Sequence, residues 1–194
     1  MRPNSFRRYT TLPFLLDMLY KKRLALLDPA SWDDRNDSFF LESYKKNKHL
    51  KTLLALCFAD APETYQHWKI YSGNSSGVCI EFNKDSLLKR VKPIDGLVSG
   101  EVRYETLENL QETPPELNEL PFVKRYAFKD EQEHRIVYED INEEINIKYI
   151  FVEPTDINFI ILNPWVDKSV YNSIRSIIEK IDGCSNIHIK KSTV

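Results

Sequence analysis

Cysteine and histidine are scarce in this chain of 194 residues, which has three of the former and four of the latter. The cysteines are widely spaced, at Cys57, Cys79 and Cys184, and no C-x-x-C pair occurs. Because structural zinc sites need Cys and His ligands at short spacings, we expect no bound metal. An odd, dispersed set of cysteines does not predict a disulfide framework, so we expect a reduced, cytoplasmic protein.

Long apolar segments are also absent. No run approaches the roughly 18 residues of a membrane-spanning helix, and residues 1–8 lack the apolar centre of a signal peptide. The five glycines form neither a G-x-x-x-x-G-K-[ST] loop nor a G-x-G-x-x-G turn that opens a helix. The G-x-S-x-G and H-E-x-x-H motifs are missing as well. These absences argue against membrane association, P-loop NTPases, Rossmann-type enzymes, α/β-hydrolases and zincins.

Charge of one sign is not in excess either. The formal net charge of −2 gives no overall basic field that would indicate nucleic-acid binding, although it is compatible with a local basic groove. What the chain does have is 42% hydrophobic residues and 12% aromatic residues, which indicate a globular protein. Its length suits one domain with a proper core. We therefore predict a single domain over residues 1–194.

Periodicity predicts both strands and helices. Residues 53–59 and 157–162 are apolar enough for buried strands, and the apolar positions of 166–181 recur at helical spacing. Other strands are predicted at 6–11, 78–82, 100–104, 136–138, 145–152 and 187–190, and other helices from residue 12, around 65–71 and over 83–90. The last strand, helix and strand form a β-α-β unit. The predicted fold class is α+β, with flanking helices on the sheet.

Three local features follow from residue chemistry. Asp60 is a good N-cap for the helix around 65–71, with Pro62 in its first turn. Residues 106–120 are acidic apart from their leucines and are bordered by prolines, so we predict a mobile insertion there. The 166–181 helix is expected to bury one apolar face, made of Val170, Ile174, Ile177, Ile178 and Ile181.

Residues 128–138 carry the densest polar chemistry of the chain, reading F-K-D-E-Q-E-H-R-I-V-Y. If the strand begins within this stretch, Glu131, Glu133 and Arg135 alternate onto one face. Such a group is costly to bury unless it is paired or used. The alternative is a solvated turn that enters an edge strand, with Glu133 and Arg135 pairing weakly.

Three polar-aromatic stations, at residues 8–10, 68–72 and 131–133, make chemical sense together. Cleaving the nicotinamide–ribose bond of NAD creates an oxocarbenium-like centre, which a carboxylate can position and stabilise. An arginine would pair with the pyrophosphate, and an aromatic ring would stack on nicotinamide. A second carboxylate two residues earlier could hold or deprotonate the acceptor.

Four motifs of the chain resemble a bacterial family of unknown function, DUF2971. They are Arg7-Arg8-Tyr9, Trp32-Asp33-Asp34, the element H-W-K-I-Y-S-G-N-S-S-G-V-C-I-E-F at 67–82, and E-Q-E-H-R-I at 131–136. The resemblance spans most of the chain, and its W-x-x-Y-x-G…G-V-C-I-x-F element is the most specific part. One departure is Arg35, where the family pattern leads us to expect a proline.

A second resemblance, of order and architecture, is to DarT-like ADP-ribosyltransferases. That group also begins with a strand–helix unit that carries NAD contacts, and its catalytic glutamate opens a late strand. The resemblance implies an ADP-ribosyltransferase-like split sheet, with NAD as substrate. It makes Glu133 the catalytic glutamate and Glu131 the preceding glutamate of E-x-E. It also implies Arg8 or Thr10 as the NAD contact on the first strand, and Tyr71 or Ser72 as the middle station. Tyr71 is a third catalytic candidate. The candidates for binding NAD are Arg8, Tyr9, Thr10, Trp68 and Ser72.

These features predict an NAD-dependent ADP-ribosyltransferase-like enzyme, such as a bacterial toxin or phage-defence effector. Its acceptor would be nucleic acid or protein, and an antitoxin or accessory protein is a further candidate partner. Arg8, Tyr71 and Glu133 should then converge on one concave site. Two alternatives stay open. One is a non-catalytic binding module in which E-x-E-x-R is a structural ion network, and the other is an NAD glycohydrolase with water as acceptor.

Overall fold

The structure, a computed structural model, describes residues 4–32, 34–72 and 76–194. Its strands are β1 (Ser5–Thr11), β2 (Arg23–Leu27), β3 (Thr52–Ala59), β4 (Gly77–Asn83), β5 (Leu97–Glu101), β6 (Arg103–Glu105), β7 (Val123–Arg125), β8 (Glu133–Asp140), β9 (Ile147–Phe151), β10 (Ile157–Leu162) and β11 (His188–Lys191). Its α-helices are α1 (Leu12–Lys21), α2 (Arg35–Asn47), α3 (Tyr65–Tyr71), α4 (Lys84–Val91), α5 (Leu107–Glu112) and α6 (Lys168–Ile178). The class is α+β, as predicted.

The chain divides into two compact units. Unit one comprises the described residues of Met1–Leu24, Phe58–Arg90 and Ile150–Val194. Unit two comprises those of Ala25–Cys57 and Val91–Tyr149. The assignment of residues 1–194 to one domain stays a prediction.

The strands of unit one follow the order β11-β10-β4-β1. β1 pairs with β4 in antiparallel register along its whole length, from Ser5 opposite Asn83 to Thr11 opposite Gly77. β10 is antiparallel to β4 and parallel to β11. Because α6 connects the two parallel strands β10 and β11, the predicted C-terminal β-α-β unit is confirmed.

Aromatic rings fill the core of unit one. Phe6 stacks on Phe58 at 5.4 Å between ring centroids, and Phe58 meets Phe82 edge-on at 5.9 Å. On α6 the predicted apolar face is correct only in part: Val170 and Ile177 are about half exposed. Both lie at the border of the buried stripe, whose described members are Ile174, Ile178 and, just beyond the helix, Ile181.

The N-terminus of α3 differs from the prediction. Thr64 is the N-cap, and its hydroxyl oxygen accepts the backbone N–H of His67 at 3.1 Å. The helix therefore starts four residues later than an Asp60 cap would place it. Asp60 pairs instead with the ammonium of Lys84 at 2.7 Å, which is a stronger partner for a buried carboxylate than a helix N–H.

Unit two places β8 between two partners, with the strand order β5-β8-β3-β2. β5 is antiparallel to β8, from Leu97 opposite Tyr138 to Glu101 opposite His134. Beside the sheet, α2 packs into a buried apolar cluster made of Leu41, Tyr44, Leu50, Leu53, Ala55 and Val137. The first six residues of β8 are buried, so the alternative of a solvated edge strand is excluded.

Residues 106–120 form the short helix α5 and most of a 3-10 turn, Leu117–Phe122. None of these fifteen positions is buried. Leu120 is partly buried and packs against the apolar cluster of unit two. The peripheral location fits an insertion, and the mobility of the segment stays a prediction.

Candidate active site

The stretch that precedes β8 is a 3-10 helix and not the beginning of the strand. This helix covers Tyr126–Glu131, and Gln132 follows with a positive φ of 43°. β8 then begins at Glu133. The prediction that Glu131 and Glu133 alternate along one strand is therefore wrong, because a left-handed residue separates them. The two glutamates nevertheless meet at a shared cation.

Arg135 lies at the centre of a buried ion network, and its side chain is fully buried. Its Nε–H donates to Glu133 Oε1 at 2.7 Å. Its Nη1 and Nη2 donate to the two oxygens of Asp37 at 2.9 and 2.7 Å, which is the bidentate geometry that guanidinium favours. Nη1 also donates to the backbone oxygen of Pro121 at 2.9 Å. The Trp32 ring covers the guanidinium at 5.1 Å.

Lys124, the middle residue of β7, joins the two glutamates. Its Nζ is 2.7 Å from Glu131 Oε2, 3.3 Å from Glu133 Oε2 and 3.6 Å from Asp37 Oδ2. The Phe128 ring packs 4.9 Å from the same ammonium. We call the five charged residues the carboxylate cluster: Asp37, Lys124, Glu131, Glu133 and Arg135.

Two neutral groups complete the surroundings of Glu133. Its backbone N–H donates to the hydroxyl oxygen of Tyr104 at 2.7 Å. The thiol of Cys57 lies beside its carboxylate and helps to lower the pKa of Glu133. Burial raises the pKa of Cys57 and that of Tyr104, so both groups keep their protons at neutral pH. They add hydrogen bonds and no charge.

The charges of the cluster determine which groups ionise. Burial opposes ionisation of Glu133, but the cations of Arg135 and Lys124 outweigh it and lower the pKa of Glu133 to about 2. At Asp37 burial is the larger effect, and it raises the pKa despite the Arg135 partner. Three carboxylates face two cations, so the formal charge of the cluster is −1. An excess of this sign suits a positive charge in a bound molecule.

We expect the free energy of unfolding to decrease as the pH is lowered, because Glu133 becomes protonated. Its pKa is lower in the folded protein, about 2, than its ordinary value of 4.5. Its contribution is therefore complete above about pH 4.5 and is lost as the pH falls from there toward 2, on the order of 3 kcal/mol in all. Urea unfolding between pH 3 and 7 tests this. Glu133→Gln should flatten the acid limb, and an unchanged limb would contradict it.

Asp37 and Lys124 were missed in the sequence. Asp37 lies in the first turn of α2, just after the N-cap Asp34, where an acidic residue is ordinary. Lys124 is one of several basic residues near the turn that precedes β8. Neither position is distinguished by its neighbours, and both gain their role from contacts across the chain. The one available signal was Trp32, an isolated aromatic in a polar loop close to Asp37.

The predicted aromatic station lies in unit one. Tyr9 packs edge-on against Trp68 at 5.3 Å between ring centroids and lies 5.2 Å from His67. Trp68 and Ser72 are fully buried, and the Ser72 hydroxyl donates to the backbone oxygen of Trp68 at 2.5 Å. Tyr71 is 41% exposed. Tyr71 is the most exposed of these rings, and the roles of all these side chains in catalysis or NAD binding stay predictions.

Arg8 and Thr10 lie on β1, half-buried and paired with β4. Since side chains alternate along a strand, both point to the opposite face from Tyr9. Arg7, on the Tyr9 face, donates to Glu81 at 2.8 Å and to the backbone oxygen of Ala61 at 2.5 Å. Both contacts of Arg7 lie within unit one. The role of Arg8 in binding phosphate stays a prediction.

Ser72 leaves no space for a side chain at Gly77. A Cβ there would lie 2.4 Å from Ser72 Oγ and 2.6 Å from the Ser72 backbone oxygen. We expect Gly77→Ala to lower the free energy of unfolding by about 1–3 kcal/mol, as overpacking does. Chemical denaturation measures it, with Gly183→Ala, which is strained by its φ of +78° but less crowded, for comparison. An unchanged free energy of unfolding would show that Ser72 can move away from the added Cβ at little cost.

Some predicted positions lie outside the described residues, namely Asp33 of the Trp32-Asp33-Asp34 motif and residues 73–75 of the glycine turn. Arg8, Tyr9, Thr10, Trp68, Tyr71 and Ser72 all belong to unit one, while Glu131 and Glu133 belong to unit two. The convergence of Arg8, Tyr71 and Glu133 on one cleft stays a prediction. In the part of the chain that the structure describes, no helix is long and apolar enough to span a bilayer. Among these residues, no group of three or more His, Cys, Asp or Glu side chains is arranged so that it could hold a metal ion.

A family model described as "Protein of unknown function (DUF2971)" matches residues 67–136. The match begins within α3, includes β4 and ends within β8, so it includes two of the four motifs that carry the resemblance. The predicted resemblance is confirmed over this segment. No curated protein matches the sequence.

Solved structures of DarT from Thermus sp. 2.9 are similar to the whole chain. The complex with NAD+ has a TM-score of 0.50 at 13% identity, covering 99% of this chain and 96% of that one. The complex with ADP-ribosylated ssDNA has a TM-score of 0.50 at 12% identity, covering 99% and 95%. The complex with carba-NAD+ has a TM-score of 0.50 at 13% identity, covering 99% of this chain and 97% of that one. This chain therefore has a DarT-like fold.

Proposed function

We propose that the protein is an ADP-ribosyltransferase-like enzyme that consumes NAD in the cytoplasm. The observation that carries the proposal is Glu133, a carboxylate kept ionised by Arg135 and Lys124 at the first residue of β8. The DarT-like fold supports it, because the similar protein is solved with NAD+ and with carba-NAD+. In this reaction an acceptor molecule, and not water, receives the ADP-ribose as nicotinamide leaves.

The chemistry assigned to the cluster is electrostatic. As the nicotinamide–ribose bond breaks, positive charge develops on the ribose, and an ionised carboxylate already in place stabilises it without reorganising. Glu133 has this role in the proposal. Glu131, partly exposed and held by the same ammonium, holds or deprotonates the acceptor hydroxyl or amine.

The residues of unit one bind the cofactor in this proposal. Arg8 pairs with the pyrophosphate, since a guanidinium can donate two parallel hydrogen bonds to phosphate oxygens. The exposed ring of Tyr71 stacks on the nicotinamide. Tyr9, Trp68 and Ser72 support the Tyr71 side of this unit. Thr10 shares the Arg8 face of β1 and is proposed as a further contact there. Nucleic acid is the favoured acceptor class, because the similar DarT is solved with ADP-ribosylated ssDNA; protein acceptors, a toxin or phage-defence role, and an antitoxin partner belong to the same proposal.

A second candidate is a non-catalytic binding module. It is favoured by the extent to which Glu133 is already occupied: Oε1 accepts from Arg135, and Oε2 lies 3.3 Å from the Lys124 ammonium. A carboxylate in that state serves equally well as a structural ion network. An NAD glycohydrolase is the third, with the same residues and water as acceptor.

One incubation separates the three candidates. The purified protein is mixed with NAD labelled in its adenylate phosphate, with single-stranded DNA or lysate protein present, and both released nicotinamide and label on each acceptor are measured. Nicotinamide with acceptor label supports the transferase. Nicotinamide without label identifies a glycohydrolase. No release under any condition contradicts both enzymes, and titration calorimetry with NAD then tests the binding module.

A further inference from the structure

Lys124 differs from the other cation of the cluster in what it joins. Arg135 pairs with Asp37 and Glu133. Lys124 contacts the same two carboxylates and also Glu131, at 2.7 Å, which is its shortest contact. It lies on β7, so it reaches the E-x-E pair from a different strand. Its side chain is only 8% exposed, and an ammonium held this deeply has little freedom to leave.

The bridge matters because the backbone does not align the two glutamates. Glu131 ends a 3-10 helix, Gln132 turns left-handed, and Glu133 starts β8. Their carboxylates would repel one another if nothing lay between them. The ammonium of Lys124 supplies an attraction to both, at 2.7 and 3.3 Å.

We propose that Lys124 is a positioning residue that holds the carboxylates of Glu131 and Glu133 together on one ammonium and thereby couples NAD cleavage to acceptor handling. This inference rests on the proposed function, since it assigns separate tasks to the two glutamates. Lys124 touches neither NAD nor acceptor in this scheme. It acts by holding the Glu131 carboxylate at 2.7 Å, next to the Glu133 carboxylate at 3.3 Å.

The groups that face Glu133 show what is lost with Lys124. They come from five elements: Asp37 on α2, Cys57 on β3, Tyr104 on β6, Lys124 on β7, and Arg135 on β8 itself. Of these, Lys124 and Arg135 are cations. Without Lys124, Arg135 would be the one cation of the cluster left beside Asp37 and Glu133, so Glu133 would need a higher pH to lose its proton.

Lys124→Met tests the inference by removing the ammonium and keeping the length of the side chain. We expect the ratio of acceptor transfer to nicotinamide release at pH 8 to fall about tenfold or more, because Glu131 loses its 2.7 Å ammonium partner. The acid limb of nicotinamide release should move to higher pH by about one unit. Lys124→Arg should restore both, because it keeps a cation at the same place.

Lys48→Met is the matched control, because Lys48 also lies in unit two and pairs with Glu139 on the distal part of β8. It should leave the ratio of transfer to release and the acid limb unchanged. If Lys124→Met lowers transfer and release equally, or if Lys124→Arg behaves like Lys124→Met, the positioning role is wrong. If Lys124→Met does not fold, Lys124→Gln takes its place, since its amide still donates a hydrogen bond and only the charge is removed.

A readout without activity separates this inference from the proposed function. Carbon-13 NMR of the glutamate side-chain carboxyls follows the titration of Glu133 directly. Wild-type protein that releases no nicotinamide would end the proposed function. A Glu133 titration that is the same in wild type and Lys124→Met would end the role of Lys124, even where release persists.

Discussion

Glu133→Gln is expected to lower nicotinamide release from NAD by about 10²–10³-fold, the loss that follows when one electrostatic contact to a transition state is removed. The amide keeps the volume and an acceptor for Arg135, but it carries no charge to offset the developing cation. NAD affinity should change little, because Arg8 and Tyr71 carry binding in the proposal. The measurement is single-turnover nicotinamide release beside NAD titration calorimetry.

Glu139→Gln is the control for this variant. Glu139 lies on β8 too, and it pairs with Lys48 at 3.1 Å away from the carboxylate cluster. Both variants remove one ion-paired carboxylate of the same strand, so a loss confined to Glu133→Gln belongs to the site. Unchanged release in Glu133→Gln, with the protein folded, would remove Glu133 from catalysis and leave the structural ion network.

Arg135→Met is expected to give the largest loss of stability, about 3–5 kcal/mol, because it leaves buried carboxylates without their main cation. Asp37 would lose its bidentate partner and Glu133 its 2.7 Å contact. The residual attraction of Lys124 is spread over three carboxylates. Urea denaturation at pH 7 measures the change in the free energy of unfolding.

Arg103→Met provides the comparison for an exposed arginine of the same unit. Its guanidinium is 52% exposed and pairs with Glu105 and Glu119 at 3.1 and 3.5 Å. Surface pairs of this kind contribute about 0–1 kcal/mol, so its loss should be small. An effect of Arg103→Met that equals or exceeds that of Arg135→Met would mean that the carboxylate cluster does not stabilise unit two.

Local patterns were sufficient for most of the strands and helices. The buried strands β3 and β10 appeared as continuous apolar runs, and the parallel pairing of β11 followed from a strand, helix and strand in sequence. Errors arose where two local signals competed. At α3 the residue types of Asp60 and Thr64 both suit an N-cap. Asp60 instead forms an ion pair with Lys84, which lies 24 residues further along the chain.

The candidate site was predictable to a smaller extent. Glu131, Glu133 and Arg135 stand close together in sequence and were recognised as a group that must be paired or used. Their partners were not recognised, because Asp37 lies 98 residues from Arg135 and its sequence neighbours carry no sign of that contact. The prediction that the two glutamates share one face assumed that both lie on one strand. This assumption is wrong, because Gln132 has a left-handed conformation and the strand begins only at Glu133.

The wide separation of the cluster along the chain has a consequence for the nascent protein. Asp37 is synthesised early, whereas its guanidinium partner follows 98 residues later. Until that partner emerges, the early carboxylate remains hydrated, and no paired, ionised glutamate exists. A ribosome-bound or truncated chain that ends before β8 would therefore lack Glu133 and its partner Arg135, so the proposed activity would require that most of the polypeptide had been made.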